Sequence, residues 1–301
     1  MKIVCIGGGH GLSHMLSAIR PHCAELTAIV ATTDNGGSTG KLRKSQDVVA
    51  LGDIRRCCLQ LADSDSLIHQ VFHHRFDGGE LNGHSLGNLA LLSLTQQTNS
   101  ATQAVAWFNA MLGNSETILP MSDEPTDLLA VMSSGIKVFG ECDIDSQEEL
   151  PDYLTLSQDV NAAPGVVQAI ESADMLIIGP GSLITSVMPD MLVEDIAKAV
   201  QQTSACRLFI ENIAKEASVI KSLDMQPVDW LEGMLGYRFC DMSISLDALS
   251  EIVSHFDDVV KSPNQQHDIE QLSNVFGEIL KMPLSLEAEQ LVSSNQTLRV
   301  S

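Results

Sequence analysis

Near the start of the chain apolar residues arrive in short solid runs, and glycines follow at once. Ile3 to Ile6 is such a run, closed by Gly7, Gly8 and Gly9. A short uninterrupted apolar run is the pattern of a parallel strand buried on both faces. Leu12, Met15, Leu16 and Ile19 then recur at helical spacing, and Pro21 ends that helix. Leu26 to Ala31 reads as a second strand. Strand, helix and strand within about 30 residues make a βαβ unit with a right-handed crossover.

Further along, residues 41–75 are mixed, with Leu59, Leu61, Leu67, Val71 and Phe72 as the expected core contacts. The stretch HSLGNLALLSLTQQT predicts a buried helix. Ser100 and Gln103 form a capping-box pattern ahead of Ala104, Val105, Phe108 and Met111. In DLLAVMSSGIKVFGECDI two apolar runs flank a Ser-Ser-Gly turn, which predicts a hairpin. ADMLIIGPGSLITSVMPDMLVEDIAKAV repeats the opening order of strand, glycine turn and helix. Pro189 is expected in the first turn of a helix carrying Leu192, Ile196 and Val200. CRLFIEN is one more strand. Helices dominate from about 217, where Ile269, Leu272, Phe276 and Ile279 share one face. The alternation predicts an α/β fold, a doubly wound sheet with a helical C-terminal part.

Charge narrows the classes of partner. The 301 residues hold 17 Lys and Arg against 39 Asp and Glu, a net charge of −22. Such a surface repels nucleic acid and anionic membranes, because phosphate recognition needs clustered cations. Aromatic residues are only 4%, so the core is aliphatic. No run reaches membrane-spanning length and the start lacks a signal-peptide core, so the expectation is a soluble cytoplasmic protein. The seven cysteines, Cys5, Cys23, Cys57, Cys58, Cys142, Cys206 and Cys240, show neither a Cys-x-x-Cys pair nor zinc spacing, and read as reduced thiols.

Five loops carry candidate chemistry. Gly7, Gly8, Gly9, His10 and Gly11 lie between the first strand and helix, where backbone amides and a helix N-terminus face an anion. Leu12 stands where the dinucleotide fingerprint has its third glycine, so the alternative here is a tight turn without a ligand. Thr32 to Gly40 follows the second strand and holds Asp34, Asn35, Gly36, Gly37 and Ser38. Asp34 suits a ribose hydroxyl or Mg²⁺; Asn-Gly is equally a plain turn dipeptide. Lys41, Arg43, Lys44, Arg55 and Arg56 face only Asp47 and Asp53 between 41 and 56, a local net of +3 that suggests a placed anion site. His84, Ser85 and Asn88 sit at a helix start, where Ser85 suits a cap and His84 has no assignable carboxylate partner. Gly179, Pro180, Gly181 and Ser182 form a second phosphate-cradle candidate. The pairs His10/His14 and His69/His73 have i, i+4 spacing but no evident third ligand, and read as structural. Neither a nucleophile elbow nor a Cys/His pair is present.

With these pieces in order, the chain resembles the gluconeogenesis-factor (YvcK-type) branch of the CofD-like, or 2-phospho-L-lactate transferase, family. The resemblance rests on GGGHGL, TTDNGGSTG, GDIRRC, GHSLGN, ILPMS and IIGPGSLITSVMP, in that order over residues 1 to about 216; only HDIEQL supports it in the tail. It implies one Rossmann-like domain over 1–301, with a nucleotide-binding core at 1–216 and a mainly helical part at 217–301. It implies a cytoplasmic protein of cell shape and growth on gluconeogenic carbon, similar to proteins that bind UDP-sugars. The implied pocket is Gly7 to Gly11, Asp34 to Ser38, Asp53, Arg55, His84, Ser85, Asn88, Gly179 to Ser182 and Asn212, with a place for Mg²⁺ on Asp34. It leaves room for a homodimer and for an enzyme partner of cell-wall or central-carbon metabolism. The other branch implies the alternative, a phosphotransferase using nucleotide-activated phospholactate. Glu211, beside Asn212, departs from the family pattern and is expected to put a carboxylate at the pocket rim.

Overall fold

The computed structural model describes residues 1–211, 219–220, 223–244, 269–280 and 299–300. The opening βαβ unit forms as expected. Strand β1 (Lys2–Gly7), helix α1 (Gly9–Ile19) and strand β2 (Glu25–Val30) follow one another, and β1 and β2 pair in parallel with Ile3 opposite Leu26. Leu12, Met15, Leu16 and Ile19 are fully buried, each contributing about 1.5–3 kcal/mol.

Helices α2 (Gly37–Ser45), α3 (Gly52–Leu61), α4 (Leu67–His73), α5 (Leu86–Thr98) and α6 (Ala101–Met111) lead to β3 (Thr117–Pro120), which pairs in parallel with β2. The chain then leaves the main sheet for β4 (Leu128–Val131), β5 (Lys137–Phe139), α7 (Glu141–Asp145) and β6 (Tyr153–Leu156). The first two strands are the expected hairpin, and β6 adds a third antiparallel strand on the other side of β4. Helix α8 (Val166–Glu171) returns the chain to β7 (Met175–Ile178) at the far side of β1. A π-wound turn (Leu183–Val187), α9 (Met188–Met191), α10 (Glu194–Gln202), β8 (Cys206–Ile210), a helix at Pro227–Leu235, β9 (Met242–Ile244), a helix at Ile269–Ile279 and the two-residue β10 (Arg299–Val300) complete the described elements. None of the described helices is long and apolar enough to cross a membrane.

The main sheet runs β10-β9-β8-β7-β1-β2-β3, parallel throughout except for β10. Taken in chain order, its six parallel strands stand as 3-2-1-4-5-6, the doubly wound nucleotide-binding arrangement, and the order reverses between β1 and β7. Alternate residues of the central strands feed two cores. Ile3, Cys5, Met175 and Ile177 join α1, α3, α6 and Phe276 on one face. Val4, Ile6, Leu176 and Ile178 join α8, α10 and the small sheet on the other.

Three local expectations need correction. Leu67 and Val71 are 75% and 37% exposed. They are four apart on the outward face of α4, whereas Ile68 and Phe72, also four apart, turn to the core. Met111 ends α6 and is 43% exposed, although Ala104, Val105 and Phe108 are buried. The helix expected around Pro189 is broken at Leu192 and Val193 into α9 and α10. Beyond 217 the described elements are mainly helical, with β9 and β10 as short strands, and the side chains of Leu272 and Ile279 lie outside the described residues.

Candidate functional site

Both glycine turns emerge at the switch point, from the carboxyl ends of neighbouring strands. They touch. A Cβ on Gly11 would stand 2.5 Å from the Pro180 carbonyl oxygen, and one on Gly181 would stand 3.5 Å from the Gly8 oxygen and 2.7 Å from Ser186 Cβ. Gly179 takes φ +82°, which a side chain resists, and a Cβ there would lie 2.6 Å from the Ile210 oxygen of β8. Ser182 caps the helical turn behind it by accepting from the Thr185 amide at 3.1 Å. The turns at Gly7 to Gly11 and Gly179 to Ser182 are therefore in contact with each other.

A carboxylate already stands at this surface. Helix α1 begins at Gly9 with no side-chain cap of its own. Asp53, in the first turn of α3, accepts from the Gly9 amide at 2.6 Å through one oxygen and pairs with Arg56 through the other. The N-terminus of α1 thus faces a negative group, as its dipole favours. His10 is partly buried close to Arg56, and both effects lower its pKa, so it is uncharged at neutral pH.

The third loop closes the neighbouring side. Asp34 accepts from the Gly36 amide at 2.7 Å, an Asx turn, and burial raises its pKa. Asn35 accepts from the Cys142 amide at 2.9 Å and so ties the loop to α7. Ser38 is buried and shares a contact of 3.0 Å with His84 Nδ1, while Asn88 donates to its hydroxyl at 3.2 Å. Ser85 is the cap of α5, accepting from the Asn88 amide.

The basic window divides by role. Arg43 donates to the carbonyls of Thr33, Asp34 and Thr126 and pairs with Asp127 at 2.8 Å, clamping the loop to the small sheet. Lys41 donates to the Asn82 carbonyl at 3.0 Å. Arg56 is paired with Asp53. Arg55 alone is buried with its Nε lacking a partner.

Two carboxyl groups near the site escape sequence reasoning. Glu141 opens α7 and accepts from the Thr33 hydroxyl at 2.5 Å; burial and the neighbouring Asp34 and Asp53 push its pKa well up. Asp190 is completely buried on α9, neither oxygen has a hydrogen-bond partner, and burial followed by repulsion from Glu141 pushes its pKa well up. Nothing local in FGECD or VMPDM signals that these carboxyls are buried. Glu211 is buried at the end of β8 rather than exposed at a rim, and Asn212 lies outside the described residues.

For metal, no group of three or more His, Cys, Asp or Glu among the described residues is arranged to hold an ion. A protein-only cage is thus absent among these residues. Mg²⁺ carried in by a diphosphate asks less, namely one or two carboxylates and waters. Asp34 fits that demand: a Cβ on Gly52 would be 3.4 Å from its second oxygen, which places this carboxylate beside Asp53 at the start of α3. All seven cysteines are free, and Cys142 is the exposed one.

Residues 3–284 match the family model for 2-phospho-L-lactate transferase CofD. A Yersinia pestis protein named "Putative gluconeogenesis factor" is 35% identical over 295 residues, covering 96% of this chain and 95% of its own. A Pasteurella multocida protein of the same name is 39% identical over 245 residues, covering 81% and 80%. The crystal structure of a UPF0052 family member from Bacillus halodurans superposes with a TM-score of 0.75 at 27% identity, covering 91% of this chain and 98% of that one.

Proposed function

This chain belongs to the CofD family, and from that premise we propose that it binds a nucleotide sugar of the UDP-sugar type and acts as a cytoplasmic regulator, a gluconeogenesis factor that supports cell shape and growth on gluconeogenic carbon. The observation that carries the reading is the contact between Gly11 and Pro180. It joins two amide-bearing turns from adjacent strands at the switch point, where open α/β sheets receive ligands. A diphosphate spans such a pair of turns with one phosphoryl group on each.

The residues divide the work. Free amides of the two turns, those of Gly8, His10 and Gly11 and of Gly181 and Ser182, face the phosphoryl oxygens; the Gly9 amide is held by Asp53, the Gly179 amide by the Ile6 carbonyl, and Pro180 has none. Asp34 holds Mg²⁺, whose charge offsets the carboxylates of Asp34, Asp53 and Glu141 around the ligand. Asn35 and Arg43 keep the loop in place from behind. His84 and Asn88, reached through Ser38, line the side away from β7.

A thermal melt tests this reading. UDP-N-acetylglucosamine with Mg²⁺, at about 100 times its dissociation constant, raises the melting temperature by roughly 5 °C or more. Gly181→Val removes the shift, because its side chain would enter Ser186 at the floor of the cradle. If neither UDP-sugars nor guanine nucleotides move the transition, the reading is wrong. The family description also names a transferase. Release of a nucleoside monophosphate from nucleotide-activated phospholactate and a deazaflavin, dependent on Asp34, would replace the regulator by that enzyme.

A further inference from the structure

We propose that a second, smaller anion subsite lies between α3 and the first turn of α5, beside the diphosphate cradle, and that it takes a phosphate still carrying a proton. The inference rests on the strand-tip cradle above for its position, not on the identity of the nucleotide.

Arg55 is the centre of the argument. Its residue is 8% exposed, yet its Nε has no hydrogen-bond partner. Leaving a buried N–H of a cation without a partner is costly, and folds keep such a group where a ligand completes it. Its stem lies flat on the first turn of α5, where a Cβ on Gly87 would be 2.8 Å from Arg55 Cδ. The opposite need is met one residue on. Asn88 is 3% exposed, donates through Nδ2 to Ser38, and leaves Oδ1 without a donor. One orphaned donor and one orphaned acceptor therefore border the same helix start.

The surroundings favour a negative charge. Helix α5 is 13 residues long and presents its positive end here. Arg75 donates to the Gly83 carbonyl at 2.6 Å, and Lys41 reaches Asn82 of the same loop. Burial, Arg56 and Arg75, in that order, push the Arg55 pKa down to about 10, Asp53 offsets only part of this, and Arg55 remains charged at neutral pH. A hydrogenphosphate satisfies both orphans: an anionic oxygen accepts from Arg55 Nε, and its P–OH donates to Asn88 Oδ1. Sulfate has no proton to give, so the subsite discriminates against it.

Calorimetry with orthophosphate tests the proposal. Orthophosphate is expected to bind one-to-one to protein whose cradle is saturated with UDP-N-acetylglucosamine, and at least about 10-fold more tightly than sulfate. Arg55→Met is expected to weaken phosphate by about 10-fold or more while melting, without ligand, at or above the parent temperature. Arg75→Gln, at an exposed position, weakens phosphate roughly 2–5-fold. Glycerol 3-phosphate binding more tightly than orthophosphate assigns the subsite to the monoester of a larger ligand; the reverse order assigns it to free phosphate. The proposal is overturned if Arg55→Met binds phosphate as the parent does, if Arg55→Met melts lower, or if the nucleotide sugar expels phosphate. Failure of UDP-sugars to bind, with Arg55-dependent phosphate binding intact, would sink the nucleotide reading alone.

Discussion

Gly11→Val is expected to abolish nucleotide-sugar binding and to cost about 2–4 kcal/mol of folding stability. The reason is local crowding at a place that cannot yield. The added Cβ would meet the Pro180 oxygen at 2.5 Å, its carbonyl carbon at 3.0 Å and its ring at 3.3 Å. Pro180 has nowhere to retreat, because Gly179 is itself packed on the Ile210 backbone of β8. Either α1 shifts away from β7 or the second turn is displaced, and both open the cradle. A control separates this from helix propensity. Gly233 lies in the helix Pro227–Leu235 with nothing within 4 Å of its Cβ position, so Gly233→Ala is expected to stabilise by about 0.5–1 kcal/mol. Chemical denaturation reads both variants. A Gly11→Val protein that keeps parental stability and binding would contradict the contact.

The second large effect has the opposite sign. Asp190→Leu is expected to stabilise the protein by about 2–4 kcal/mol at pH 7. Its carboxyl is completely buried with neither oxygen partnered, and its pKa is raised well above the ordinary value, first by burial and then by Glu141. Burial and Glu141 favour the protonated form in the folded state, whereas the unfolded chain releases the proton at its ordinary pKa. Its favourable contribution is therefore complete below the unfolded pKa, near pH 4. It is lost progressively as pH rises toward the folded value, at up to about 1.4 kcal/mol per pH unit. Glu141, also raised, follows the same direction. Denaturation between pH 4 and 8 should show stability of the parent declining with pH and a flatter decline in Asp190→Leu. A variant that is destabilised, with an unchanged pH slope, would show that Asp190 has a partner in solution.

What could be read from the sequence was what local pattern controls. The β1–α1–β2 unit follows from an apolar run, a glycine break and then i, i+3, i+4 spacing, and all three elements are present. The Ser-Ser-Gly hairpin follows from its turn chemistry. Strand β6 is only four residues long, Tyr153–Leu156, and carries too little alternation to announce itself. The outward tilt of Leu67 and Val71 depends on which side of α4 meets the core, and tertiary packing decides that.

The site divides in the same way. The turns at Gly7 to Gly11 and Gly179 to Ser182 were visible as glycines after apolar runs, and the sheet order brings them together. Charge counting marked residues 41–56 but could not separate roles. Arg43 serves backbone carbonyls and Arg56 serves Asp53, while Arg55 is left without a hydrogen-bond partner at Nε. Glu141 and Asp190 are acidic residues in ordinary local contexts. Only the fold shows that both are buried.

Backbone hydrogen–deuterium exchange, with and without UDP-N-acetylglucosamine and Mg²⁺, tests the shared cradle most directly. Amides of Gly8, His10 and Gly11 and of Gly181 and Ser182 should slow together on adding ligand, and Gly11→Val should remove the protection from both segments at once. Ligand binding that protects only one of the two turns, or neither, would contradict the account.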